Sequence, residues 1–282
     1  MKILSVDVGG TFLKYAALDE AANFFLQNKI PTPKKNYETF LQKIFEIFQS
    51  DNFDGIAISL PGIIDSRRGF CIKSSALDFN SKKFITDDLK KICKVPVAVE
   101  NDSNCAALAE IKIGNLSDVD DAFVIVFGTM IGGTFIKNKK IHRGKNFLSG
   151  EISFLLDDSQ KYFWQTCSTE SILQNYKNLT GILLSGEDFF KNIDSTGAFL
   201  NKVTEKIAQK IFNLQMVLDF EKVAIGGGIS QQKIFIDSIS KNLEIIYKNC
   251  PVEFPRVEVV PCKFHNDANL IGALFNWLSF VV

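Results

Sequence analysis

Short apolar runs closed by glycine and acid residues alternate with longer stretches of helical spacing. Residues 3–7 are apolar except for Ser5 and a closing Asp7. A second run follows at 13–18 after the turn Val8-Gly9-Gly10-Thr11, so the pattern predicts a β-hairpin. Residues 36–48 carry Tyr37, Phe40, Leu41, Ile44, Phe45 and Phe48 on one helical face. Residues 55–60 read as a buried strand stopped by Pro61-Gly62, and 95–99 as another that runs into Glu100-Asn101-Asp102. A helix is expected over 103–113, ended by Gly114. The grammar then restarts. Residues 122–127 read as a strand, 128–133 as a glycine-rich turn and 134–136 as a strand again, a second copy of the Asp7–Thr11 pattern. A polar, loop-rich stretch fills 137–159. A long helix is expected over 199–218, with Val203, Ile207, Ile211 and Leu214 on one face. Residues 223–225 form a strand closed by Gly226-Gly227-Gly228, residues 257–260 the last strand and 267–278 the last helix.

Strands and helices alternate in both halves, which predicts an α/β protein with mixed sheets. The repeat joins at the polar stretch 114–121. The expected organisation is an N-terminal lobe over 1–115, completed by the C-terminal helix 267–282, and a C-terminal lobe over 116–266. Lys+Arg and Asp+Glu both number 32, so the net charge is zero, which argues against a nucleic-acid backbone or an anionic membrane as partner. The apolar runs are strand-sized, below the ~20 residues of a membrane helix. Asp7 stands where a secretory leader would be apolar, so a cytoplasmic protein is expected. The six cysteines form no C-x-x-C pair and read as small buried hydrophobes rather than a structural zinc site.

The glycine turns carry the candidate chemistry. Gly9 and Gly10 let backbone N–H groups approach an anion, Thr11 and Lys14 add a hydroxyl and a cation, and Asp7 at a strand end can hold a hydrated Mg²⁺. A plain hairpin turn would show the same pair of glycines. The spacing is neither a P-loop nor a dinucleotide fingerprint. Thr129, Gly132, Gly133 and the run Gly226-Gly227-Gly228 repeat the theme, and together the turns fit a bound nucleotide. In Glu100-Asn101-Asp102-Ser103-Asn104 a carboxylate can act as general base, while Asn, Asp and Ser are also the preferred helix caps. Glu151 in Gly150-Glu151-Ile152 can accept two sugar hydroxyls, or be a surface loop acid.

Taken together, Asp7-Val8-Gly9-Gly10-Thr11…Lys14, Leu60-Pro61-Gly62, Glu100 to Glu110, Gly128-Thr129…Gly133, His142-Arg143-Gly144, Gly150-Glu151-Ile152, Ile225 to Ser230 and Asn266 to Ala273 resemble the ROK family (repressors, open reading frames and sugar kinases), in order along nearly the whole chain. The resemblance implies a two-lobed, actin-like and hexokinase-like ATPase fold with duplicated mixed-sheet domains. It also implies an ATP- and Mg²⁺-dependent sugar kinase acting on a hydroxyl, with O6 the one expected, of a hexose or hexose derivative. Glucose, N-acetylmannosamine and a β-glucoside are the candidate substrates. It gives Asp102 the role of general base, and Asn101, Glu151 and Gly62 that of sugar ligands. Asp7, Gly9, Gly10, Thr11, Lys14, Thr129, Gly132 and Gly133 become phosphate loops, and Gly226, Gly227 and Gly228 the adenosine side. A homodimer is expected. The departures lie in the sugar region. Ser153 and Phe154 replace a Gly-His pair, and 155–171 holds one cysteine where most members carry a zinc motif, so no zinc is expected and the chain resembles the zinc-less branch. Glu170 is the nearest counterpart of a second sugar-binding Glu. Ser74-Ser75-Ala76-Leu77 replaces a Pro-Asn-Leu sugar segment, and Met130 replaces a Gly. A sugar-binding regulator and a degenerate, non-catalytic kinase are the alternatives. The first would carry a DNA-binding extension ahead of the first strand, which here starts at Ile3.

Overall fold

The expected N-terminal hairpin forms: β1 (Ile3–Val8) pairs antiparallel with β2 (Phe12–Leu18). The structure is a computed structural model and describes residues 1–74 and 76–281, so Ser75 of the expected sugar segment lies outside the described residues. A third strand, β3 (Phe24–Pro31), adds at the edge. It was not legible as a strand because its residues face solvent almost throughout and show no alternation. Helix α1 (Tyr37–Phe48) starts where Asn36 Oδ1 accepts the Thr39 N–H at 2.9 Å, and it buries Tyr37, Phe40, Ile44 and Ile47. Strand β4 (Gly55–Leu60) is buried at every position. A small antiparallel sheet follows, of β5 (Ile63–Asp65), β6 (Phe70–Lys73) and β7 (Lys83–Phe84), then helix α2 (Ile85–Cys93). Strand β8 (Val97–Asn101) runs further than the apolar pattern suggested, so Glu100 and Asn101 are strand residues and α3 (Asp102–Ile113) begins at Asp102. The sheet order is β3-β2-β1-β4-β8, with β1, β4 and β8 parallel.

The second sheet repeats this plan. Strands β9 (Ala122–Phe127) and β10 (Ile131–Lys137) form an antiparallel pair, and β11 (Lys140–Ile141) extends it. Gly132 and Gly133 therefore sit inside β10, and the turn shortens to Gly128-Thr129-Met130. Four helices follow: α4 (Phe163–Cys167), α5 (Thr169–Thr180), α6 (Gly186–Lys191) and α7 (Ile193–Leu218), the last starting six residues before the expected helix. Strand β12 (Lys222–Gly226), helix α8 (Lys233–Asn249) and strand β13 (Glu258–Pro261) complete the order β11-β10-β9-β12-β13, with β9, β12 and β13 parallel. Helix α8 lies outside the expected elements although Phe235, Ile236, Ile239, Leu243 and Tyr247 follow helical spacing. The excess of phenylalanine fills this core: Phe127 meets Phe235 edge-on at 5.5 Å, and Tyr176 meets Phe189 at 5.4 Å. Burying Leu200, Val203, Ile207 and Ile211 of α7 stabilises by about 1.5–3 kcal/mol each.

Helix α9 (Ala268–Val281) returns to the first sheet and packs on β1, β4 and β8. Trp277 Nε1 donates to the Pro96 carbonyl at 3.0 Å, and Ser5 Oγ donates to the Leu270 carbonyl at 2.6 Å. Close packing sets the small residues here: a Cβ on Gly55 would lie 2.2 Å from the Trp277 ring, and one on Gly272 only 1.7 Å from the Cys105 carbonyl oxygen. The chain divides into two compact units, unit 1 comprising Met1–Lys112, Gly144–Leu148 and Asp267–Val282, and unit 2 comprising Ile113–Arg143 and Ser149–Asn266. Among the described residues no helix is long and apolar enough to cross a membrane.

Candidate active site

In unit 1 the polar residues gather at the carboxyl ends of the parallel strands, the edge where open α/β sheets bind ligands. Asp7 of β1, Ser59 of β4 and Glu100 of β8 lie in one register row. Asp7 is 6% exposed; its Oδ1 accepts from Ser59 Oγ at 3.1 Å and from Asn269 Nδ2 at 3.0 Å, and its Oδ2 lies 3.6 Å from Lys14 Nζ. A hydroxyl, an amide and an ammonium thus fix the carboxylate. Ser59 and Asn269 were not among the expected site residues. The signal for Asn269 was the polar run 266–269 directly ahead of an apolar helix.

The adjoining turn needs its glycines for space rather than for an unusual backbone, since neither Gly9 nor Gly10 has a left-handed φ. Gly9 N–H donates to the Phe12 carbonyl at 3.0 Å, and a Cβ on Gly9 would crowd that oxygen at 2.9 Å. Gly10 and Thr11 are exposed, and a Cβ on Gly10 would meet nothing within 4 Å, so the backbone there is open to an anion. Thr32 at the end of β3 clamps the turn, donating from Oγ1 to the Gly9 carbonyl at 2.6 Å.

One strand away, Glu100 is wholly buried, and its Oε1 accepts the Asn101 N–H at 2.8 Å and Asn104 Nδ2 at 2.9 Å. Asn101 Oδ1 accepts the Asn104 N–H at 3.1 Å, so Asn101 caps α3, while its Nδ2 donates to the Gly62 carbonyl at 2.9 Å. Asp102 Oδ1 accepts the Ser103 N–H at 2.9 Å, and the half-buried carboxylate sits in the first turn of α3, where the helix dipole favours negative charge. The capping role falls mainly on Asn101. Gly62 has φ +129°, and a Cβ there would lie 2.3 Å from the Lys73 carbonyl oxygen, so only glycine fits.

Unit 2 gathers its residues at the corresponding edge. Gly128, Thr129 and Met130 form an exposed turn closed by the Gly128 N–H donating to the Met130 carbonyl at 2.9 Å. Gly133 is buried in β10, and a Cβ on it would lie 2.6 Å from the Gly150 carbonyl oxygen; one on Gly150 would lie 2.1 Å from the Gly133 carbonyl oxygen. The two glycines let the segment ahead of Glu151 lie directly on β10. Ser153 Oγ fastens it further by accepting the Ile131 N–H at 2.9 Å. Glu151 keeps part of its surface open to solvent, yet its surroundings desolvate the carboxyl enough to raise its pKa above the ordinary glutamate value. Phe154 is 55% exposed and meets Tyr162 edge-on at 5.9 Å. Glu170 is exposed in the first turn of α5, next to Thr169, whose N–H donates to the Gly128 carbonyl at 3.1 Å.

Gly226 closes β12, and Gly227 (φ +86°) brings the following loop against β9: a Cβ on it would lie 1.9 Å from the Phe127 carbonyl oxygen. Gly228 is exposed with open space beside it. A cavity of about 600 Å³ adjoins this loop, lined by Ser230, Gln231, Ile236, Val259, Pro261 and His265, none of which was among the expected site residues.

For a metal, the described residues offer no cluster of three His, Cys, Asp or Glu. That donor set suits a cation carried on substrate phosphates and keeping its waters, with one carboxylate in its outer shell, which is the habit of Mg²⁺. Asp7, at its strand end, would be that carboxylate. Cys167 lies in the core, its thiol pushed up to about 11 by burial, so it is a neutral core side chain.

A sequence profile of the ROK family matches residues 3–279. The chain belongs to the ROK family. A β-glucoside kinase of Listeria monocytogenes is 29% identical over 299 residues, covering 99% of this chain and 98% of its own length. A ROK family protein of Streptococcus pneumoniae, solved in complex with sucrose, superposes with TM-score 0.91 at 28% identity and 99% coverage of both chains. A ROK family glucokinase of Streptomyces griseus, solved with glucose and AMPPNP, shares the fold at TM-score 0.84 and 20% identity, covering 98% of each chain. The mixed sheets and their repeated strand order are those of the actin-like, hexokinase-like ATPase fold of this family.

Proposed function

We propose that this ROK family member is a sugar kinase that transfers the γ-phosphoryl group of ATP to O6 of a hexose or hexose derivative. The observation that carries the reading is the arrangement around Asp102. A half-buried carboxylate follows Asn101, whose amide is tied to the Gly62 carbonyl at 2.9 Å, at the carboxyl end of a parallel strand. Asp102 accepts the proton of the sugar hydroxyl as that oxygen bonds to the γ-phosphorus and the bond from phosphorus to the β,γ-bridging oxygen breaks, releasing ADP. Gly62 and Asn101 hold the sugar beside this base, and Glu151 accepts two of its hydroxyls. The Gly9-Gly10-Thr11 turn with Lys14, and Thr129 with the start of β10, present N–H, hydroxyl and ammonium donors to the phosphates. The loop Gly226-Gly227-Gly228 and the adjoining cavity take the adenosine. Asp7 would hold Mg²⁺ through water, and the ion would supply charge neutralisation at the phosphates. The work of the protein is positioning, which supplies much of the rate in phosphoryl transfer.

Phe154 supports a substituted sugar. A phenyl ring cannot replace the hydrogen bonds of an imidazole, and losing one contact costs about 0.5–1.5 kcal/mol, whereas its exposed face can stack on a pyranose or an aglycone. A β-glucoside is therefore the preferred candidate, in keeping with the Listeria relative. A homodimer in the cytoplasm completes the reading, on the strength of family resemblance. The test is ADP release measured across glucose, N-acetylmannosamine, fructose and a β-glucoside such as cellobiose. At least one sugar is expected to turn over, with kcat/KM for the β-glucoside no lower than for glucose. Absence of turnover on the whole panel, with ATP bound, would return the protein to a sugar-binding regulator. Sharp selectivity for glucose would show that another residue, Glu170 first, has replaced the missing contact.

A further inference from the structure

A second cavity, of about 750 Å³, lies within unit 1 and is lined by none of the candidate active-site residues, between the β5–β6 turn, helix α2, the approach to β8 and the end of α9. Four cations line it: Arg67, Arg68, Lys90 and Lys94. Asp87 is the only acid among its lining residues, so it holds three net positive charges in a chain whose total charge is zero. The neighbouring acids are engaged elsewhere: Asp88 pairs with Lys91 at 3.5 Å and accepts from Tyr37 at 3.0 Å, and Asp65 accepts the Arg68 N–H at 3.2 Å. Among the described residues none forms an ion pair with Arg67, Lys90 or Lys94.

The cations are arranged by the fold. Lys90 and Lys94 stand four residues apart, one helical turn, and Lys94 ends α2 in a left-handed conformation at φ +60°. Arg68 is steadied over the rings of Phe70 and Phe84, 5.7 and 5.3 Å from their centroids, so its guanidinium is held in place without a carboxylate partner. Gly69, at φ +64°, lets the turn approach α2 so closely that a Cβ would lie 1.7 Å from Thr86 Oγ1. The independent sign of a ligand is Ser66. It lines the same cavity, is 5% exposed, and its buried hydroxyl has no hydrogen-bond partner. A buried hydroxyl is normally paired, so one left unpaired in a polar cavity is a donor awaiting an acceptor. The remaining walls, Val95 to Ala98 with Phe280 and Val281, are apolar or backbone.

The geometry points to a second ligand site in this protein, one that takes a phosphate monoester: Ser66 and the arginines donate to its oxygens, Lys90 and Lys94 balance its charge, and the apolar wall receives the group that the phosphate carries. The volume suits a small molecule rather than a polymer. Free phosphate and a sugar phosphate share the chemistry, and the apolar wall is what would tell them apart.

The test is calorimetric titration of the full chain with inorganic phosphate and with glucose 6-phosphate, both in the presence of saturating AMPPNP to occupy the nucleotide's own phosphate loops. Binding is expected to weaken tenfold or more in the double variant Arg67→Gln/Lys90→Gln, and to fall steeply with added salt. Both substitutions are on exposed side chains, and an unchanged melting temperature will show that the variant is folded. Ser66→Ala is a second, smaller probe, expected to weaken binding a few-fold without any change in net charge. Equal affinities for the two ligands would assign the site to phosphate alone; a tenfold tighter binding of glucose 6-phosphate that the double variant loses would assign it to the sugar phosphate, since binding of this product at the sugar subsite would survive in the variant. No binding by the unaltered protein at 10 mM of either ligand, or the same affinity in the folded double variant, would overturn the site.

Discussion

Asp102 sits in the first turn of α3, a place that serves catalysis and helix capping equally well, and one substitution separates the two roles. Asn at this position keeps the shape and the capping oxygen but cannot take a proton. Asp102→Asn is expected to lower kcat by ~10²–10⁴-fold while nucleotide affinity stays within a few-fold. Retention of more than a tenth of the rate would reduce Asp102 to a cap. Glu151 gives a prediction in pH. Its acceptor role needs the ionised form, and partial burial raises its pKa, so kcat/KM should fall on the acid side with an apparent pKa above the ~4.3 of an ordinary glutamate. Glu151→Gln should lower kcat/KM and abolish that limb. The same shift means that ionised Glu151 opposes folding, so the Gln variant should melt no lower at neutral pH than the parent. An acid limb that survives in the variant would pass the effect to another group.

At the scale of elements, the paired glycines and the returning helix do the positioning. Gly150 combines φ +94° with a Cβ contact of 2.1 Å against β10, so Gly150→Ala should displace Glu151 and cost more than the ~1 kcal/mol of strain alone. Its expected mark is a rise in KM for sugar with ATP affinity unchanged. Gly272→Ala, which drives a methyl into the Cys105 carbonyl, should lower stability by about 1–3 kcal/mol in urea unfolding; a drop below 0.5 kcal/mol would mean that α9 slides freely on α3. These contacts also explain what could be read from the chain beforehand. The parallel strands, the hairpins and the amphipathic α1 and α7 announced themselves through apolar period, Asp7, Asn101 and Asp102 through polar residues at strand ends, and Glu151 through the Gly-Glu-Ile run after a polar loop. Gly132 and Gly133 were misplaced because a glycine pair looks alike in a turn and in a strand that another backbone crosses. Ser59 and Ser153 were silent because their significance is a partner distant in sequence, and Asn269 showed only as part of the polar run ahead of α9. Strand β3 was silent because an exposed edge strand has no buried face to impose alternation.

For the whole molecule, the repeated strand order frames a kinase, and among the described residues no group of three His, Cys, Asp or Glu gathers to hold a metal. Where other members use a zinc motif, this chain packs α4 and α5 on apolar side chains, with Cys167 and Ile172 buried in the same core. The purified enzyme is expected to require Mg²⁺ with ATP, to lose activity in EDTA and regain it with Mg²⁺, and to contain less than a tenth of an equivalent of zinc by elemental analysis. One tightly held zinc per chain would overturn this account of the 155–171 region.

Helix α9 has a consequence for the order in which the protein matures. The strands of unit 1 precede unit 2 in the chain, yet their sheet is covered by residues that follow unit 2, Asp267 onward. Until α9 emerges, the apolar face of β1, β4 and β8 that receives Leu270, Leu274 and Trp277 has no cover, and Asp7 lacks Asn269. Unit 2 is therefore positioned to complete its fold during synthesis before unit 1 does. The closing helix doubles as a checkpoint: a chain that stops short of α9 lacks Asn269 and cannot fix the Asp7 carboxylate as the full chain does.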